Sequence, residues 1–114
     1  MSTLESLKKS FEFKYVFHNG RRYKAAHLGV YISKGKKRGV RVGLVVSKRV
    51  GNAVVRNKVK RRFREAMRNL PVVDAFGVPL DIVLLAGPTT PQAAYKDIYK
   101  ELGFVLKRHY AALK

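Results

Sequence analysis

The sequence contains no cysteine, so disulfide bonds and thiolate metal sites are excluded. No stretch reaches the roughly 18 consecutive apolar residues that a membrane-spanning helix needs. The start, MSTLESLKKSFEFK, lacks the apolar core of a signal peptide. The missing cysteine fits a reducing compartment, and we expect a cytoplasmic protein. With 114 residues, the chain is long enough for one domain and short for two, so we expect residues 1–114 to form a single domain.

Acidic residues are scarce and unevenly placed. Only seven Asp and Glu residues stand against 25 Lys and Arg residues, which gives a net charge of +18. No acid occurs between Phe13 and Arg64. A basic segment without internal counterions predicts a polyanionic partner. We expect that partner to be nucleic acid and expect no membrane partner. The alternative that the charge leaves open is an acidic membrane surface.

The apolar periodicity and the turn residues divide the chain into six elements. Helices are expected over 10–19, 53–70 and 92–113, and strands over 22–33, 40–48 and 80–87. A basic turn (34–39) and a linker (72–79) connect them. Ser10 is expected to cap the first helix, and Gly20 to close it in the left-handed conformation. This order predicts an α/β sandwich of the α+β type, in which about three helices pack on a small mixed sheet of three to four strands.

The helix over 53–70 is amphipathic and strongly basic. One face is apolar at intervals of four, three and four residues, namely Val59, Phe63, Ala66 and Leu70. The opposite face and its flanks carry the polar set Arg56, Asn57, Lys60, Arg61, Arg64 and Arg68. Like charges one turn apart destabilise a helix by a few tenths of a kcal/mol per pair. This ridge is therefore expected to bind phosphates, which relieve the repulsion.

A solvated charged face is the alternative interpretation of this helix. Such a face would interleave glutamate with the cations for support, whereas Glu65 is the one acid in the segment. Lys48 and Arg49 also precede the positive end of the helix dipole, where cations are disfavoured. Cations beside the free amides of a helix N-terminus indicate an anion site. Binding of an anion is thus the favoured interpretation.

The sequence carries no pattern typical of catalysis. Its three histidines lack metal-binding spacing, and its carboxylates are too few for a two-metal nuclease site. The sequence also lacks the G-x-x-x-x-G-K-[ST] loop that binds phosphates in P-loop nucleoside triphosphatases. We therefore expect a binding protein with no catalytic residue and no metal site of its own.

The segment SKRVGNAVVRNKVKRRFREAMR resembles the signature of the bacterial ribonuclease P protein component. The matching residues are Ser47, Lys48, Gly51, Asn52, Ala53, Arg56, Asn57, Lys60, Arg61, Arg64 and Glu65. Upstream, FKYVFHNGRR matches the family pattern through Phe13, Val16, Phe17 and Gly20. The resemblance extends over roughly residues 7–110, in the same order.

The resemblance implies a fold and a set of partners. The fold would be a sandwich with a left-handed crossover around the basic helix, similar to the second domain of ribosomal protein S5. The chain would assist a catalytic RNA that uses Mg²⁺ to remove the 5′ leader from precursor tRNA. Its partners would be ribonuclease P RNA and precursor tRNA, with no obligate protein partner.

The resemblance also implies two sets of site residues. The catalytic RNA would contact Arg56, Asn57, Lys60, Arg61, Arg64 and Arg68. The leader would lie in a cleft lined by Phe13, Phe17, Tyr31 and Lys48. Phe17 is equally suited to the core, and Tyr31 to an ordinary strand position.

Three other functions are alternatives to this one. A structural ribosomal protein would have the same charge and size, and only the motif separates it from the favoured function. A stand-alone nuclease is disfavoured by the scarce carboxylates. A helix-turn-helix DNA-binding protein is disfavoured because no second helix lies three or four residues from the basic one.

Overall fold

The computed structural model describes residues 5–37, 39–71 and 77–113. Within these ranges the strands are β1 (Glu5–Ser6), β2 (Arg21–Lys24), β3 (Leu28–Lys34), β4 (Val40–Val45) and β5 (Leu80–Ala86). The helices are α1 (Ser10–Asn19), α2 (Ala53–Asn69) and α3 (Tyr95–Leu113), and short 3-10 turns occupy Lys48–Val50 and Thr90–Gln92. Most of the expected linker (72–79) lies outside the described residues.

The strands form one mixed sheet in the order β1-β4-β5-β3-β2. β4 pairs in parallel with β5 and β1, whereas β3 pairs antiparallel with β5 and β2. Val83 lies at the centre of the sheet, opposite Gly43 on one side and Tyr31 on the other. The predicted α+β class is confirmed, and the strand number is corrected from three or four to five. The left-handed sense of the β4-α2-β5 crossover stays a prediction.

Two strands account for the difference in number. The segment 22–33, expected as a single strand, is a hairpin in which β2 and β3 flank a turn where the Ala25 amide donates to the Leu28 carbonyl. β1 is only two residues long, and its pairing with β4 makes it a strand. Neither the turn at 25–27 nor β1 contains a Gly or Pro residue that would mark it in the sequence.

α2 and α3 pack on one face of the sheet and form the main core. Val59, Phe63 and Ala66 are completely buried and Leu70 is 5% exposed, which confirms the apolar face predicted for α2. The partners of this face are alternate strand residues, including Val30, Ile32, Ile82 and Leu84, together with Ile98, Leu102 and Leu106 of α3. Burial of each such side chain stabilises the fold by about 1.5–3 kcal/mol. No helix in the described ranges is both long and apolar enough to cross a bilayer.

α1 packs on the other face of the sheet and is anchored by a buried ion network. Arg41 of β4 donates two hydrogen bonds to Asp81 of β5, at 2.9 and 2.8 Å, and one to Glu12 of α1 at 2.6 Å. An unpaired charge at this depth would be strongly destabilising, so the three groups depend on one another. The network ties the first turn of α1 to the two central parallel strands.

Both ends of α1 differ from the sequence-based expectation. Lys9 and not Ser10 is the N-cap residue, and the Glu12 carboxylate accepts the amides of Lys8 and Lys9 at 3.0 Å each. Gly20 is extended, with φ −81°, and is not left-handed. A glycine is required there because a Cβ would lie 2.4 Å from the Val16 carbonyl oxygen, which accepts the Gly20 amide.

The first prediction concerns the pH dependence of folding. The amides of Lys9 and Lys8, with a smaller contribution from Arg41, lower the pKa of Glu12 from 4.5 to about 2. A carboxyl group with a lowered folded-state pKa stabilises the fold fully above pH 4.5, and this contribution is lost as the pH falls towards 2. Glu12→Gln should therefore be less stable at pH 6 and should lose less stability between pH 5 and 2. Urea unfolding at several pH values measures this.

Glu65→Gln is the matched control because Glu65 is exposed on α2 and has no part in the network. Equal pH slopes for the parent protein and Glu12→Gln would contradict the anchoring role of Glu12.

Candidate nucleic-acid interface

The outward face of α2 is a ridge of exposed cations, as the periodicity predicts. We define the α2 ridge as Arg56, Asn57, Lys60, Arg61, Arg64 and Arg68. Asn57, Arg61, Arg64 and Arg68 are exposed, and the two flanking members are half-buried. The first turn of α2 holds no acidic residue. The ridge thus presents positive charge to solvent along the whole helix.

The motif preceding the ridge sets where the helix starts. Asn52 is the N-cap residue, and its side-chain oxygen accepts the Val55 amide at 3.0 Å. A Cβ on Gly51 would lie 2.8 Å from Val55, so only glycine lets the chain pass this close to the first turn. The Arg56 guanidinium donates from Nε to the Gly51 carbonyl at 3.2 Å, which fixes the loop to the helix. Arg56 therefore has a structural contact in addition to its predicted RNA contact.

Arg62 differs from the arginines of the α2 ridge. Its guanidinium donates to the carbonyl oxygens of Pro91 and Ala93, at 3.3 and 3.1 Å. These carbonyls belong to the 3-10 turn that precedes α3. Arg62 thus joins α2 to α3, and its side chain is half-buried. The neighbouring residues Arg61 and Arg62 therefore differ in role, because Arg61 is exposed on the ridge and Arg62 connects two helices.

On the α1 side, the sheet continues beyond the helix as an open groove of about 290 Å³. Gly29, Tyr31 and Leu85 form its sheet surface. Arg22 and Lys24 line one side, and the 87–89 loop lines the other. Arg22 and Lys24 were not predicted as site residues. The sequence pattern that indicates them is the alternation of exposed basic residues with the buried Tyr23, which is typical of a separate edge strand. The prediction of one strand over 22–33 does not separate this strand from β3.

Two rims of the groove are held together by residues distant in sequence. The Thr90 hydroxyl donates to the His27 carbonyl and accepts the Gly87 amide at 2.7 Å. Glu101 of α3 accepts the His27 amide at 2.8 Å and contacts its ring Nδ1 at 2.5 Å. The turn between β2 and β3 is thereby fixed to the loop after β5. The groove is consequently preformed.

The structure brings three of the four predicted cleft residues together. Phe17 contacts Tyr31 edge to face, with ring centroids 5.0 Å apart, and Phe13 packs into the same cluster. Phe17 is 38% exposed, so it is not a core residue, and it meets the groove through its contact with Tyr31, which lines the groove. Phe13 lies over Gly43, where a Cβ would approach its ring to 2.5 Å. Lys48 is exposed in the 3-10 turn beyond the edge where β4 and β5 end.

No candidate metal centre occurs in the described part of the chain, where no three His, Asp or Glu side chains come close enough together. Glu12 and Asp81 are both bonded to Arg41, and Glu101 to His27. His109 contacts the Tyr23 hydroxyl at 2.8 Å. Burial, with the nearby charge of Arg21, lowers the pKa of His109, which favours its neutral form. His27 and His109 are therefore engaged in packing the fold.

Comparison with known proteins identifies the family. The sequence matches the family model described as Ribonuclease P over residues 1–110. The chain belongs to the ribonuclease P protein family. The ribonuclease P protein component of Clostridioides difficile is 38% identical over 104 residues, covering 91% of this chain and 90% of that protein. A protein of the same name from Bacillus cereus is 36% identical over 109 residues, covering 95% and 93%.

Solved structures of this family share the fold. The RNase P protein of Staphylococcus aureus superposes with a TM-score of 0.78 at 30% identity, covering 91% of this chain and 94% of that chain. The Thermotoga maritima protein gives the same TM-score at 26% identity, with coverage of 91% and 96%. Family membership makes this chain a subunit of an endoribonuclease holoenzyme of tRNA processing, and it implies association with ribonuclease P RNA. The ribosomal and stand-alone nuclease alternatives are thereby set aside.

The second prediction tests the packing of Phe13 against the sheet. Gly43→Ala would place a methyl group 2.5 Å from the Phe13 ring and 3.2 Å from the Leu7 side chain. Overpacking of this kind costs about 1–3 kcal/mol of folding free energy. Thermal or urea unfolding measures the loss. Gly87→Ala is the control, because a Cβ at Gly87 meets no atom within 4 Å.

A double-mutant cycle sharpens this test. If Phe13 is the clashing group, Phe13→Ala and Gly43→Ala should be strongly non-additive, because the first removes the ring that the second displaces. Strict additivity would show that Gly43 is required for another reason.

Proposed function

We propose that the α2 ridge binds ribonuclease P RNA while the groove on the other face of the sheet holds the 5′ leader of precursor tRNA. The observation that carries this proposal is the arrangement of the two surfaces. α2 packs on one face of the sheet, and α1 with the groove lies on the opposite face. One protein can therefore hold both RNAs at the same time without competition between them.

The α2 ridge suits a folded RNA backbone. Arginine presents a planar fork of donors that matches a phosphate group and also stacks on bases. Asn57 can reach a base edge or a sugar hydroxyl from the centre of the exposed face. Phosphates bound along the ridge would replace the repulsion between its cations with attraction, so the free helix is poised for an RNA partner.

The groove suits a single strand of variable sequence. Such strands are held by aromatic stacking and by positive charge along the backbone, with little base-edge recognition. Tyr31 offers ring surface in the groove, and the exposed ring of Phe17 packs against Tyr31 from α1. Leu85 and Gly29 make the rest of the sheet surface apolar and leave it uncovered. Arg22, Lys24 and Lys48 supply the cations, Lys48 at the sheet edge nearest the start of α2.

Mg²⁺ chemistry is assigned to the RNA in this proposal. The described carboxylates that lie near one another are already bonded to Arg41, so the donor set does not fit a divalent cation. The protein instead neutralises phosphates where the leader approaches the catalytic RNA, which would reduce the Mg²⁺ concentration that binding needs. In a reconstitution of protein, ribonuclease P RNA and precursor tRNA, the protein should increase cleavage at low Mg²⁺. Absence of that increase, or cleavage by the protein alone, would contradict this.

The third prediction concerns the α2 ridge. Arg61→Ala with Arg64→Ala removes two exposed cations, so affinity for ribonuclease P RNA should fall at moderate salt. The slope of log affinity against log salt should flatten by about 0.7–0.9 for each lost phosphate contact. Filter binding across a salt series measures both quantities.

Arg62→Ala is the charge-matched control for each single ridge variant, Arg61→Ala or Arg64→Ala, because each of the three removes one cation. Because Arg62 is bonded to the Pro91 and Ala93 carbonyls, its loss should lower the stability of the fold and leave the salt slope close to that of the parent. If Arg62→Ala and the ridge variants changed the salt slope equally, net charge alone would account for binding.

The fourth prediction concerns the groove. Phe17→Ala removes an exposed ring, and stacking contributes about 1–3 kcal/mol per base. In the holoenzyme, affinity for precursor tRNA with a long leader should fall about fivefold or more, while affinity for mature tRNA stays unchanged. Phe11→Ala is the control, because Phe11 is on the same helix and 65% exposed but outside the groove. Equal losses for both tRNAs would indicate a folding role for Phe17.

A further inference from the structure

The outward face of α3 carries a second row of cations with an aromatic residue at its centre. Lys96, Lys100, Phe104, Lys107 and Arg108 follow one another at helical spacing, and all five are exposed. Phe104 is 65% exposed, whereas the apolar stripe of the same helix is buried against the sheet. Phe104 therefore adds nothing to the core, and its ring is available to a ligand.

Contacts between rings and guanidinium groups extend this surface onto the edge strand. The Arg108 guanidinium carbon lies 5.9 Å from the ring centroids of both Phe104 and Tyr23. The Arg21 guanidinium carbon of β2 lies 5.8 Å from the Tyr23 ring. Arg21 and Arg108 thus meet around one buried tyrosine. We define the α3 patch as Arg21, Lys96, Lys100, Phe104, Lys107 and Arg108.

The α3 patch has few acidic groups nearby to balance its cations. The two carboxylates of α3, on Asp97 and Glu101, are half-buried, and Glu101 is bonded to His27. In the described ranges, the side-chain ion pairs engage Arg41 and His27 and none of the cations of the α3 patch. The patch therefore keeps an excess of positive charge, with five cations against the nearby Asp97.

The α3 patch is separate from both surfaces already assigned. α3 packs on the sheet face opposite the groove, so a strand lying in the groove does not reach Phe104. The α2 ridge belongs to the neighbouring helix, whose end meets α3 through Asn69 and Tyr95. The patch is a third candidate surface that the proposed function leaves unused.

We infer that the α3 patch is an additional binding site for single-stranded RNA, in which an unpaired base stacks on Phe104 and the flanking cations contact phosphates. An exposed ring between cations is the combination that binds single strands without sequence preference. A base-paired helix offers no free base face to Phe104, which favours an unpaired stretch. The stretch belongs either to ribonuclease P RNA or to a separate RNA molecule, and the chemistry is the same.

A single tryptophan can report on this site, because the chain has none. Phe104→Trp places an indole in the α3 patch, and Phe11→Trp is the matched control. Phe11 is also 65% exposed and has the Lys9 ammonium 5.8 Å from its ring, but it lies on α1. An unstructured RNA of about 12 nucleotides, within the usual site size, should quench the fluorescence of Phe104→Trp and leave that of Phe11→Trp nearly unchanged.

Charge variants and a second polyanion test the mechanism. In the Phe104→Trp background, Lys100→Ala with Arg108→Ala should weaken the quenching affinity and flatten its salt slope by about 1.4, for two phosphates on a single strand. Polyglutamate should quench little, because it has no base to stack. Equal quenching by polyglutamate, or equal quenching of Phe11→Trp, would overturn the inference.

Two additions distinguish the source of the RNA. Quenching of Phe104→Trp by ribonuclease P RNA would assign the site to that RNA. If ribonuclease P RNA leaves the fluorescence unchanged and the oligonucleotide still quenches it in the assembled holoenzyme, the site belongs to a separate RNA. No quenching in either case, with an unchanged circular dichroism spectrum, would overturn the inference. The fluorescence of Phe104→Trp does not depend on Arg61 and Arg64. A failure of the α3 patch proposal can therefore be told apart from a failure of the RNA-binding role proposed for the α2 ridge.

Discussion

The fold depends on one balance, between the repulsion of the cations on α2 and the burial of the apolar side of the same helix. Each like-charged pair one turn apart costs a few tenths of a kcal/mol. Burial of Val59, Phe63 and Met67 against the sheet contributes about 1.5–3 kcal/mol for each side chain. Burial therefore outweighs the repulsion, and the helix forms with its cations held in place before any RNA is present.

The sheet determines where the charged surfaces lie relative to each other. Its two faces are covered by different helices, so the α2 ridge and the groove beside α1 are kept apart by a layer of packed strands. The buried contact of Arg41 with Asp81 and Glu12 keeps α1 on its face and leaves the sheet surface beyond it open. In the proposed function, such a division gives each of the two RNA molecules its own side of the sheet.

The sequence was most informative where one element decides the outcome. The amphipathic faces of α2 were predicted residue by residue, because helical periodicity is a local property. The predictions that were wrong involve partners from elsewhere in the chain. The turn between β2 and β3 lacks Gly and Pro, and it is held by Glu101 and Thr90, 74 and 63 residues from His27. The amides at the start of α1 are satisfied by Glu12, whose position depends in turn on Arg41.

The sequence by itself determined the excess of positive charge, its placement on one face of α2 and the family to which the chain belongs. Only the tertiary structure decided which cations face solvent. Arg61 and Arg62 are neighbours in sequence, yet Arg62 is bonded to carbonyls 29 and 31 residues away while Arg61 is exposed. Arg41 is likewise buried against an aspartate 40 residues along the chain. Periodicity gives the direction of a side chain on its own element, whereas its partners are set by how the elements pack.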